Sequence, residues 1–354
     1  MSANLSKNKD GKVEMFSGSG VVPWHGEGTI IQGRANAAEA LTLAGLNWKV
    51  GKEPIFFNNN KTGSIFDPCS IPEKYITRRL DKTGQDSILG VVGEQYTIVD
   101  NVDCFKFFDS VVDKNEAIYE SAGALGKGER VWILAKLPDQ IKLNGSDIID
   151  KYLLLATSHD GTMNLTAKLT AVRVVCQNTL RAAIAEKGET IRIRHTATAQ
   201  ERVDEAAKIM GLANEKFDQT KKLYGALVGI KFTTQMLDYF LISCIPSHGE
   251  NPTRAANIRS DIRELIEGVG LGADLPTAKG TAWGLYNGVT EYVSHVKGYK
   301  EGTSMLDALW FGSGANTSGR ALEVAYSLPN VKEDVMAKVI RDEAEKMTKW
   351  ENRE

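Results

Sequence analysis

Segments that alternate polar and apolar residues, or run apolar between turn residues, crowd into residues 48–170 of this chain. The residues after 170 are mostly of helical period. That segregation argues against alternating βαβ units. It predicts an α+β fold, with an antiparallel sheet region packed on a buried helix and then a mostly helical C-terminal half. Strands are expected at Trp48–Val50, Ile55–Phe57, Lys74–Leu80, Ser87–Val92, Tyr96–Val99, Tyr119–Ser121, Val131–Leu137, Tyr152–Thr157 and Asn164–Leu169. One helix interrupts them, from Asp100 to about Asp113. Cys104, Phe105, Phe107, Phe108, Val111 and Val112 make it apolar on most sides, which is the pattern of a buried helix.

A short helix precedes the strands. Asn36 and Glu39 stand in the capping-box arrangement, Ala37, Ala40, Leu41 and Ala44 form its stripe, and Gly45 closes it. A helix is predicted over 172–186 and a strand from Glu189 to His195. Thr198 and Glu201 then cap a long helix carrying Val203, Ala206, Met210, Ala213, Phe217, Tyr224 and Leu227. Further helices are expected at about 233–243, 253–267, 281–297, 304–312 and 331–350, the last capped by Asn330 with Glu333. The domain reading is a flexible polar arm over 1–20, a strand-rich core over 21–196, and a helical region over 197–354 packed on that core as one unit.

Composition removes whole classes of function. The chain is 42% hydrophobic and 25% charged with a net charge of -2, the balance of a globular protein. No apolar run reaches the length of a transmembrane helix, and the first residues lack the apolar stretch of a signal peptide. The four cysteines are far apart and the five histidines show no ligand spacing. A reducing cytoplasmic setting is therefore expected, with no membrane, metal site or cofactor.

Two motifs look chemical and read better as turns. In Gly123-Ala124-Leu125-Gly126-Lys127-Gly128 the lysine precedes glycine where a phosphate loop needs Ser or Thr. This is a hairpin tip carrying Lys127 and Arg130. In Ser158-His159-Asp160-Gly161, adjacent His and Asp on an extended chain point to opposite faces, and Asp160-Gly161 is a turn signal. Trp283, Tyr286, Val289 and Val293 form a helical core face, while Glu291 and His295 share another at i,i+4 spacing.

Local charge departs from the total over 166–202. Seven cations (Lys168, Arg173, Arg181, Lys187, Arg192, Arg194, Arg202) face three anions (Glu186, Glu189, Glu201). Arg192 and Arg194 share a strand face, which suits a phosphate backbone. Tyr75 beside Arg78 and Arg79 adds a ring for stacking and further charge.

Four separated segments together resemble a known family. They are Trp24-His25-Gly26-Glu27-Gly28, Ser158-His159-Asp160-Gly161, the run Arg173-Val174-Val175-Cys176-Gln177-Asn178-Thr179-Leu180, and Thr281-Ala282-Trp283-Gly284 through Thr290-Glu291-Tyr292. The family is the phage- and plasmid-associated group known as domain of unknown function 932, and the resemblance spans roughly residues 20–325. Glu27 departs from it, since members often carry an apolar residue there. The resemblance implies residence in phages, prophages and plasmids. It implies no activity and hands over no catalytic residue.

The expectation for function is a phage- or plasmid-encoded DNA-binding protein that binds or anneals single strands in recombination or replication. Lys127, Arg130, Lys168, Arg173, Arg181, Arg192 and Arg194 would hold phosphates. The expected partner is single-stranded nucleic acid, with self-association into a homo-oligomer. Two alternatives stand beside it. One is a metal-dependent nuclease or hydrolase using His159, Asp160 and Glu291. The other is a non-enzymatic protein-binding factor acting on host defence.

Overall fold

A computed structural model describes residues 4–18, 27–59, 68–81, 87–111, 117–173, 175, 178–181, 190–192, 199–247, 252–298 and 305–352. It has the α+β architecture. Among the described residues eleven strands form two sheets, and the helices after residue 198 gather beside them.

The larger sheet is built from β1 (Met15–Ser17), β2 (Thr29–Ile30), β6 (Ile118–Leu125), β7 (Arg130–Leu143), β8 (Asp147–Ser158), β9 (Thr166–Arg173), β10 (Asn178–Arg181) and β11 (Thr190–Arg192). Its order is β10-β9-β8-β7-β6-β1-β2, with β11 also paired to β9. Every pairing is antiparallel except β1 with β2. β8 is buried along almost its whole length, as its apolar run Tyr152–Thr157 requires. The smaller sheet is an antiparallel meander, β3 (Lys49–Asn58), β4 (Pro68–Leu80) and β5 (Ser87–Gly93). The strand-rich region is thus two sheets, a division that periodicity alone does not reveal.

α1 (Ala37–Leu43) has the expected capping box. The Asn36 side chain accepts from the Glu39 N–H at 2.9 Å, and Glu39 accepts from the Asn36 N–H at 3.0 Å. α2 (Asn101–Val111) is the expected buried helix, with Cys104, Phe105 and Phe108 inside and Phe105 stacked on Tyr119 at 5.9 Å. In the helical half, α3 (Ala199–Gly229), α5 (Thr253–Glu264) and α8 (Ser313–Ser327) pack on α6 (Ala282–Glu291), while α4 (Thr234–Cys244) and α7 (Met305–Trp310) lie against α8, and α9 (Glu333–Glu351) against α4. Every residue of α6 is buried, so it is a central helix without a solvent face. Its Trp283 and Tyr286 pack on Tyr224 of α3, with ring centres 4.7 and 6.1 Å away. No helix among the described residues is long and apolar enough to cross a membrane.

Five expectations need correction. Tyr96–Val99, expected as a strand, belongs to none and is the irregular lead into α2. The described part of the arm, residues 4–18, is not loose. β1 lies between β6 and β2, so Met15, Phe16 and Ser17 are all buried, and Leu5 is buried too. The helix over 172–186 is absent from its described part. Arg173 ends β9 and Asn178 turns back opposite it as β10, because sheet pairing captures the segment first. The last helix starts from Lys332 without a side-chain cap, so Asn330 and Glu333 form no box. Helix α8 was not anticipated. Its Gly, Ser and Thr content is poor for helix formation, yet Gly314, Ala315, Ser318, Gly319 and Ala321 are buried, packing closely as small residues can.

Gly284 marks the tightest approach. A side chain there would overlap the backbone carbonyl of Ala278, which cannot swing away. Gly284→Ala should therefore cost about 1–3 kcal/mol or more, the range for overpacking a core. Urea unfolding followed by circular dichroism will show a lowered midpoint, and an unchanged midpoint would refute the packing account.

Candidate functional site

Two polar clusters hold the residues that the sequence singles out. The first is built on Arg173, the last residue of β9. Its guanidinium donates from Nε to Asp147 Oδ1 at 2.8 Å and from Nη2 to Oδ2 at 2.7 Å. Both side chains are sealed from solvent. Thr277 Oγ1 and Trp283 Nε1 donate to the same Asp147 oxygen at 2.8 and 2.9 Å, and Arg173 also donates to the Gly272 carbonyl at 3.3 Å. Burial works against the charge on Asp147. The hydrogen bonds and charge of Arg173, with the donors Trp283 and Thr277, outweigh it and hold the carboxyl below its usual range.

Glu291, at the end of α6, lies beside this cluster. Its Oε1 accepts the Leu271 N–H at 2.9 Å. Burial raises its pKa, against the opposing pull of that bond, His295 and Arg173. The carboxyl pins the Gly268–Gly272 turn, whose Gly268 and Gly272 have φ of 136° and 72°.

The second cluster joins the two sheets. His159 is 0% exposed. The Asn101 amide nitrogen donates to the Leu46 carbonyl at 3.1 Å, so its oxygen faces His159 Nε2 at 2.9 Å. Nε2 therefore carries the proton, and Nδ1 has no hydrogen-bond partner among the described residues. Burial lowers the His159 pKa to about 4, against the opposing charge of Asp160. Trp48 meets the imidazole edge-on at 5.3 Å. Thr77 Oγ1 of the small sheet donates to the His159 carbonyl at 2.6 Å, and Tyr96 Oη donates to the Ser158 carbonyl at 2.9 Å. Asp160 accepts from the Thr162 N–H at 2.9 Å and hydroxyl at 2.6 Å, which closes the turn expected at Asp160-Gly161.

The candidate phosphate ligands whose side chains are described, Lys127, Arg130, Lys168 and Arg173, do not form one cationic surface. Arg173 is buried in its ion pair, because the end of β9 abuts the helical half, so it is corrected from a phosphate ligand to a structural tie. Arg130 is salt-bridged to Asp307, and Lys168 donates to the Trp310 carbonyl and lies over Phe311 at 5.3 Å. Both bind α7 to the sheet instead of facing a ligand. Lys127 is exposed on the β6–β7 turn, as expected. Arg181 and Arg192 lie on β10 and β11, opposite Thr170 and Thr166 of β9. Arg194 and the segment Trp24-His25-Gly26 lie outside the described residues.

The stacking and metal readings fare similarly. Arg79 is buried on Glu14, at 2.5 and 2.8 Å, and Arg78 pairs with Glu53 at 2.9 Å. His159 and Glu291 have different partners in different clusters, so the set His159, Asp160 and Glu291 does not assemble. Among the described residues no group of three or more His, Cys, Asp or Glu could hold a metal ion. Sequence reasoning missed Asp147 and Glu14, the acids that neutralise Arg173 and Arg79. Neither carries a local signal, since one opens a strand and the other sits in the polar N-terminal stretch.

Two outcomes are expected of these clusters. Asp147→Asn leaves the Arg173 charge buried without its counter-ion and should cost about 3–5 kcal/mol in chemical denaturation. His159 titrates near 4 when folded and near 6.5 when unfolded, so the unfolded chain takes up the proton first as pH falls. Stability is then complete above about pH 6.5 and is lost as pH falls towards 4. Asp147 and Asp160 add to that loss only below about pH 4. Calorimetric melting between pH 7 and 4 should show a steeper fall for wild type than for His159→Gln, and parallel curves would refute the assignment.

The structural joints coincide with a family pattern. A family model, Domain of unknown function (DUF932), matches residues 88–310 and so takes in the Asp147–Arg173 cluster and, of the second, Tyr96, Asn101 and Ser158–Thr162, but not Leu46, Trp48 or Thr77. No curated protein and no solved structure matches the chain. The match covers well over half the sequence, and the chain belongs to the DUF932 family.

Proposed function

We propose that this protein binds single-stranded nucleic acid, and that it does so on the distal half of the β3–β4 hairpin. One observation carries the reading. Phe56 and Phe57 are adjacent on β3 and are 58% and 51% exposed, where the hairpin runs clear of the body. The facing β4 residues Ser70, Ile71, Pro72, Glu73 and Lys74 are exposed as well. Phenylalanines in such a place lose the burial that normally accounts for them. Bases stack on aromatic side chains for about 1–3 kcal/mol each, without regard to sequence.

Exposed cations elsewhere on the strands add to the reading. Lys74 is exposed beside Tyr75, and Lys49 is exposed at the base of β3. Tyr75 already carries the Lys52 ammonium 4.6 Å from its ring centre. Lys127 remains available on the large sheet. Binding is proposed without chemistry, since His159, Asp160 and Glu291 are occupied in packing. The role fits strand handling in recombination or replication, in keeping with the phage and plasmid resemblance.

Fluorescence anisotropy with labelled oligo-dT tests it. Binding should be clear at low salt and weaken steeply as salt rises. Phe56→Ala with Phe57→Ala should weaken it about tenfold or more while the melting temperature holds. No binding at low salt, or full binding by the double variant, would refute the reading.

A further inference from the structure

Among the described residues the small sheet has two edges that no strand pairs, and they differ in character. The β3 edge carries Lys49, Lys52, Glu53 and Pro54, and its register shifts between Pro54 and Phe56. Charges, proline and bulges are the devices that keep an edge strand from pairing with another chain. β5 shares the irregularity, with Leu89 left unpaired where its register shifts against Thr77 and Arg78, but it has none of the charges or prolines. It reads Ser87-Ile88-Leu89-Gly90-Val91-Val92-Gly93, without a single charged residue or proline. Leu89 and Val92 are buried, whereas Ile88 and Val91 are 58% and 59% exposed. Among the described residues, no strand pairs with its outer side.

We propose that β5 is a homodimer edge that pairs antiparallel with β5 of a second copy of this chain. Charge selects that occupant. β5 is neutral throughout, so it offers nothing to a phosphate backbone or a charged peptide. On the exposed face, Arg78 is paired with Glu53, and Arg78 lies opposite Ile88. That neutral couple neither attracts a strongly charged partner nor repels its own copy.

Register narrows the pairing further. On the regular stretch of β5, Gly90 lies opposite Thr77 and Val92 opposite Tyr75, on the inner face, while Val91 lies opposite Ile76 on the outer. A two-fold axis through Val91 sets Val91 against its own copy and Gly90 against Val92. Over Gly90–Val92 inner residues then meet inner residues and outer meet outer, as a half-buried sheet requires, and at the next step Leu89 meets Gly93, which has no side chain to clash. The two small sheets become one sheet of six strands, with its remaining edges formed by the guarded β3. The inference does not rest on the nucleic-acid reading, which concerns β3 and β4.

The test exploits the axis. Val91 is exposed in one chain, so Val91→Lys and Val91→Glu leave the monomer fold intact, to be confirmed by circular dichroism. Each variant sets two like charges directly opposite one another in the dimer, which disfavours pairing. Light scattering on a sizing column should give wild type at twice the 38.7 kDa chain mass. Either variant alone should run at the single-chain mass, and an equal mixture of the two should return to the doubled mass. A wild type that stays at single-chain mass at every concentration overturns the proposal. So does a dimer that survives in either variant alone, or a mixture that fails to reassociate.

Discussion

A buried charge is admissible only when another charge meets it, and the joint between sheet and helices in this protein is such a meeting. Arg173 ends β9 and Asp147 begins β8. Thr277 and Trp283 reach in from the helical half to the same carboxylate. The pair gains little over an apolar contact of the same size, because desolvation offsets most of the attraction. What it supplies is position. Two in-plane bonds to a guanidinium and two further donors leave one way for α6 to sit on the sheet. Arg79 with Glu14, and Arg259 with Glu343 at 2.7 Å, repeat the device at the N-terminal strand and between α5 and α9.

The second joint works by other means. No ion pair holds the small sheet to the large one at His159. A neutral imidazole, an amide and two carbonyls do, together with a close approach at Gly90 that leaves no space for a side chain against Asp160. Neutral hydrogen bonds in a dry place are costly to break one at a time. This makes Ser158-His159-Asp160-Gly161 a joint in the frame. It also explains why so reactive-looking a tetrapeptide has its imidazole out of reach of any substrate.

Much of the fold was legible in the residues. The alternating and apolar runs gave most strands between residues 48 and 170, though not Tyr96–Val99; the capping box at Asn36 gave α1, the all-round apolarity from Asp100 to about Asp113 gave the buried α2, and the aromatic spacing from Trp283 gave a core helix. What was not legible depended on partners distant in the chain. Residues 15–17 look too few and too polar in their surroundings to be core until β6 is beside them. The stretch after Arg173 has helical period, yet sheet pairing wins at 178–181. The site was less legible still. Counting cations over 166–202 could not reveal that Arg173 has Asp147 and Lys168 has the end of α7, because charge counts along a chain ignore neighbours in space. In reverse, Ile55-Phe56-Phe57 read as an ordinary strand, because sequence does not say that a hairpin leaves the body.

The place of β1 bears on how the molecule comes to be assembled. One neighbour of β1, the short β2, is near it in the chain, but its other neighbour is far along it. Met15–Ser17 lie against Ser121–Gly123 of β6, so this strand waits for roughly a hundred further residues before its inner partner exists. Until then its apolar side chains have no sheet to enter, and Glu14 has no settled Arg79. The pairing of β1 with β6 is therefore among the longest-range contacts of the large sheet.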